Sequence, residues 1–155
     1  GCSLSPTTTV EDDSTEPLTS PFTTTGTSGN LVFYEGTATV SGYYQLLEPD
    51  TLLGDIVCFH ADEETGYQIP RDPNMFGEGN GDNRNPWFCF SNQEHSREIF
   101  NLDNSIFDDE LVTCARGNAT VIISEYVVNK MESSVYDTAY LNEVVDQGKI
   151  DTTCK

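Results

Sequence analysis

Residues 35–47, EGTATVSGYYQLL, constrain the fold more than any other stretch of this 155-residue chain. Ala38, Val40, Gly42, Tyr44 and Leu46 fall on one face, and Thr37, Thr39, Ser41 and Tyr43 on the other. Successive side chains of a strand point to opposite sides, so a period of two this long predicts a strand with one face in a core and one in water. Gly42, in the middle, lets that strand bend.

The segments that follow have the same texture. After the turn EPDTLLGD comes IVCFHA, then the acidic turn DEETG and a short strand over YQIP. A Gly/Asn-rich loop from Arg71 to Pro86 ends abruptly at WFCFS. Ser91-Asn92-Gln93-Glu94 has the Ser-x-x-Glu form of a capping box and predicts a short helix ending near Phe100 or Leu102. LVTCA and ATVIISEYVV flank Arg116-Gly117-Asn118, which reads as a hairpin turn, and TAYLNEVV supplies a last strand. The phrases Gly36-Thr37-Ala38-Thr39-Val40 and Gly117-Asn118-Ala119-Thr120-Val121 share G-x-A-T-V, a likeness that a turn glycine followed by β-formers also produces.

A bent first strand around Gly42, the phrase PWFCFSNQE leading into a helix, and ATVIISEYVV with its downstream strand together resemble an OB-like barrel. That resemblance covers most of residues 31–155 and implies an all-β fold: a small OB-like barrel or sandwich with one short helix, preceded by an extended N-terminal arm.

The arm, residues 1–30, contains nine Thr, five Ser, three Pro and three Gly, with four acids and no base. Leu4, Val10, Leu18 and Phe22 are its only sizeable apolar side chains. Such a composition does not repay the entropy of ordering itself, so the barrel domain is expected from Leu31 onward. Gly1-Cys2-Ser3 before a Ser/Thr/Pro/acid spacer resembles the processed start of a bacterial lipoprotein, which implies a lipid on Cys2 as the only membrane contact. In that family the cut falls directly before the cysteine, whereas Gly1 stands here. No apolar run approaches the 18 or so residues of a membrane span.

Setting Cys2 aside leaves Cys58, Cys89, Cys114 and Cys154, with no C-x-x-C pair among them. An even set among β-type residues favours two structural disulfides and an oxidising, extracellular or cell-surface location. Of the three pairings, Cys58–Cys89 with Cys114–Cys154 is preferred. IVCFH and WFCFS look like neighbouring strands, and the second pair follows by elimination.

Charge and chemistry narrow the function. With 26 acids against seven bases the net charge is −19, a field that repels nucleic acid and suits solubility or a cationic partner. The two histidines, His60 and His95, form no recognisable constellation, a His60-x-Asp62 pair is too few ligands for a metal, and no nucleophile elbow, zinc helix or phosphate loop is present. A non-enzymatic protein is therefore expected. The loop RDPNMFGEGNGDNRNP fails the EF-hand pattern at Phe76 and Asn83, which leaves only a looser Ca²⁺ site from Asp72, Glu78, Asn80 and Asp82. Asn118 heads the sole N-x-S/T sequon, and Thr7, Thr8, Thr9, Thr23, Thr24 and Thr25 are clustered O-glycan acceptors.

TTTV and PFTTTG are credible strands, and a 30-residue arm reaches roughly 100 Å when extended. The expected function is accordingly a self-assembling surface-fibre subunit, a head-to-tail homo-oligomer whose arm docks on a neighbouring copy through Val10, Leu18 and Phe22. The alternative is a monomeric envelope lipoprotein whose barrel binds or inhibits a cationic partner.

Overall fold

The computed structural model describes residues 20–49, 51, 54–70, 86–130 and 136–153. Among them, the strands are β1 (Thr23–Ser28), β2 (Leu31–Glu35), β3 (Thr37–Leu47), β4 (Val57–Ala61), β5 (Trp87–Phe90), β6 (Cys114–Asn129) and β7 (Thr138–Gln147). One α-helix, α1 (Gln93–Phe100), separates β5 from β6. The neighbour order is β1-β2-β6-β3-β4-β5-β7, and a further β6–β7 pairing closes the last five strands into a ring. β5 and β7 run parallel and every other pair is antiparallel. A five-stranded barrel with its helix between the third and fourth strands is the OB-like architecture expected.

The alternation in β3 is realised as read, with Ala38, Val40, Tyr44 and Leu46 buried and Tyr43 partly exposed. Gly42 is required by close approach, because a Cβ there would sit 1.9 Å from the His60 carbonyl oxygen of β4. β3 pairs with β6 over its whole length, from Thr37↔Ser124 to Leu47↔Cys114. Tyr44, Phe59, Phe88, Phe90 and Tyr126 fill the interior, and Phe100 of α1 stacks on Tyr44 at 4.1 Å to plug one end.

Four sequence expectations are corrected. First, Arg116-Gly117-Asn118 is not a hairpin turn but part of the continuous 16-residue β6. Gly117 is needed there because the Tyr44 ring lies against it, its hydroxyl 2.5 Å from where a Cβ would stand. Second, YQIP is no strand; Gly66–Gln68 form one 3₁₀ turn. Third, the helix begins as predicted but without a capping box. Asn92 is its N-cap with no side-chain cap bond, since its amide is spent on β7, donating to and accepting from Leu141 at 2.9 Å. Gln93 likewise bridges Val57 and Phe90, which clamps α1 to β4 and β5.

The fourth correction concerns the arm. Folded structure is already present at Ser20, well ahead of Leu31: Ser20 donates to the Gln68 carbonyl at 2.6 Å, and Phe22 is buried in the core beside Tyr126, ring centres 5.9 Å apart. Thr23–Ser28 then pairs with the chain's own β2. The turn between them is the two-residue Gly29-Asn30, with Gly29 at φ +59°, the glycine-first turn that suits a hairpin. Closing so short a loop costs far less than recruiting a second molecule, so PFTTTG folds back on itself.

This β1–β2 hairpin leaves the ring as a wing held along the far end of β6, through Leu31↔Asn129 to Phe33↔Val127. Where it departs, β6 carries Glu125 at φ 49°, and its register with β7 shifts between Ser124 and Val127.

Candidate functional site

Cys58 and Cys89 are directly opposed across β4 and β5 and joined by a disulfide. That register dictates the next pair, His60↔Trp87, and β3 adds Tyr43↔His60. All three rings emerge on the barrel's outer face, because Phe59 and Phe88 between them point inward and are fully buried. The result is one row of parallel rings: Tyr43 on His60 at 4.7 Å and 11°, His60 on Trp87 at 5.7 Å and 16°.

Arg116 of β6 ends the row, its guanidinium carbon 5.0 Å from the Tyr43 ring centre. It donates to Gln45 Oε1 at 2.9 Å, and its buried Nε has no partner among the described residues. A guanidinium over an aromatic face is attracted to the ring's negative π-surface, so Arg116 locks Tyr43 in place. Burial, and secondly the Arg116 charge, hold the His60 imidazole below its ordinary pKa. Near neutral pH it is therefore an uncharged ring with one donor and one acceptor nitrogen.

Beside this row lies an open depression of about 480 Å³. Tyr43 and His60 form one wall; Ser41, Thr120 and Asn118 supply hydroxyl and amide groups, and Asp62 and Asp146 two carboxylates. Ser41 and Thr120 hydroxyls meet at 2.8 Å. Asp62 is fixed in position, accepting from the Thr65 backbone at 2.9 Å and hydroxyl at 2.7 Å. Asp146, directly across the ladder from Thr120, is exposed. The faces of Tyr43 and His60 are already taken up within the row, so the depression owes its attraction for an organic cation to the two carboxylates among its lining residues. Among the described residues no cluster of His, Cys, Asp and Glu is arranged to hold a metal.

The structure brings together only part of what the sequence singled out. Cys58–Cys89 is paired as expected, and Cys114 is also disulfide-bonded. Cys154, its expected partner, lies outside the described residues, as do Cys2, Val10, Leu18, Thr7, Thr8, Thr9 and the loop residues Asp72, Glu78, Asn80 and Asp82. Phe22 is in the core and is no docking side chain. Thr23, Thr24 and Thr25 are exposed on β1, and Asn118 is exposed mid-strand, across from Tyr43.

Sequence reasoning missed Arg116 and the acids Asp62 and Asp146 as members of one site. One signal was available: once Cys58 faces Cys89 in antiparallel strands, His60 must face Trp87. The chain matches no family model, no curated protein and no solved structure.

Proposed function

We propose that this protein is a non-enzymatic, extracellular binding module that receives a cationic group, a lysine or arginine side chain of a basic partner, in the depression beside the Tyr43–His60–Trp87 row. The observation that carries this reading is the placement of Asp62 and Asp146 with the Tyr43 and His60 rings around one cavity. The net charge of −19 supports it, since such a field concentrates cations and speeds their arrival. The Cys58–Cys89 bond favours an oxidising compartment, and residues 1–19 then serve as tether, with Cys2 as lipid carrier.

Between the two expectations from sequence, this favours the binding module over the fibre subunit. Phe22, the strongest of the three docking side chains, is already used in its own core. The test is calorimetric titration of the full chain with an oligolysine or oligoarginine peptide at low salt, beside a neutral polyol as control. Binding is expected for the peptide alone. Asp146→Asn, on an exposed residue, should weaken it roughly threefold to tenfold, on the scale of one charge-assisted contact. No peptide binding, or equal binding by Asp146→Asn and Tyr43→Ala, overturns the reading.

A further inference from the structure

β1 stands apart from every other strand of the barrel. Among the described residues it ends the strand order and pairs only with β2, and all six of its residues, Thr23–Ser28, are exposed. Natural edge strands are usually protected by lysine, proline, an inward charge or a bulge. β1 carries no charge and no proline, and its one such device is a bulge between Thr24 and Gly26.

The hairpin geometry shows which backbone groups are available. Ser28 and Leu31 flank the two-residue turn and exchange hydrogen bonds; alternation along the ladder then turns the N–H and C=O of the next pair's Thr27 away from β2. A Cβ placed on Gly26 would meet nothing within 4 Å.

We infer that the occupant of this edge is β1 of a second copy, the two strands pairing antiparallel about a two-fold axis near Gly26. Three observations select a copy of the same chain. At −19 apiece, two copies repel through most of their surface, whereas β1 has no charged residue. Its sequence TTTGTS is nearly uniform, so self-pairing sets Thr against Thr, Ser or Gly in any register, with hydroxyls in reach of one another. Because β1 is a single terminal edge, the contact uses it up in both copies and closes at two. One strand pair is a small interface, so the dimer is weak, and salt strengthens it by screening the mutual repulsion.

The test is sedimentation equilibrium of the full chain up to about 1 mM, a range that captures weak dimers, at low and high salt. The mass is expected to rise from 17.1 kDa toward twice that value, more steeply at high salt. Thr27→Pro removes an outward N–H without breaking a β1–β2 bond and should lower association roughly tenfold or more. Thr27→Glu, which keeps the backbone intact, should do the same by adding to the mutual repulsion of two acidic chains. Val10→Asp and Leu18→Asp should leave association unchanged. A chain that stays monomeric throughout, species that grow beyond two copies, or association lost in Val10→Asp or Leu18→Asp but kept in both Thr27 variants would each overturn the proposal.

Discussion

Strands β3 and β1 are both antiparallel ribbons rich in Thr, yet they are held by different forces. β3 drives Ala38, Val40, Tyr44 and Leu46 into the core and is paired along both edges, to β4 and to β6. A one-residue slip would move all four into water, so its register is fixed by burial. β1 buries none of its six residues and, among the described residues, is paired along one edge. Its register rests on Phe22 at one end and the Gly29-Asn30 turn at the other. The same residue type therefore lies on the solvent side of a barrel wall in one strand and forms an open edge in the other; the neighbouring apolar residues make the difference.

The sharpest way to break this contrast is at the anchor. Phe22→Ala removes a ring from the core and should cost about 3 to 5 kcal/mol in denaturant unfolding, while Thr24→Ala, two residues on, should stay within about 0.5 kcal/mol. If the two are equally mild, the wing is not anchored and residues 20–28 return to the status of a free arm.

A smaller effect comes from filling space. Gly42→Ala in β3 sets a methyl against the His60 carbonyl and should cost about 1 to 3 kcal/mol or more, whereas Gly26→Ala in β1 meets no neighbour and should change stability by less than about 0.5 kcal/mol. Comparable melting temperatures for the two variants would mean that β3 and β4 are not packed as described.

The mildest probe is pH. In the folded state His60 titrates below the ordinary histidine value, held there by burial and then by Arg116. The unfolded chain takes up its proton first, near pH 6.5. Stability from this group is therefore complete above about pH 6.5 and is lost as pH falls from there through the lower folded value. His60→Gln should flatten that part of the pH–stability curve. An unchanged slope would show that the imidazole is no more enclosed than an exposed one.

Where burial is one-sided, as in β3, the period of two made the strand and its inward residues legible in the sequence. The cysteine contexts likewise specified the β4–β5 register. Other features were hidden because local and tertiary signals compete. Gly117 looked like a turn residue, and only the Tyr44 ring lying on it explains a glycine inside a strand. Ser91 and Glu94 looked like a capping box, but the helix takes Asn92 as its N-cap, and Asn92 and Gln93 spend their side chains on β7, β4 and β5. Gly29-Asn30 was a readable hairpin signal, overshadowed by the low apolar content around it. Asp62, Arg116 and Asp146 come from three different parts of the chain, and no local pattern links them before the barrel closes.

Trp87, the chain's single tryptophan, stacks on His60. Indole emission is quenched efficiently by a protonated imidazole in contact with it, and much less by a neutral one. Every photon of intrinsic tryptophan fluorescence therefore originates beside the candidate binding depression, and its intensity reports the charge of one neighbouring ring. Ligand arrival at the Tyr43 wall, displacement of Arg116 and uptake of a proton by His60 all perturb the same chromophore, so the protein carries its own optical label, with no dye or second tryptophan to separate from the signal.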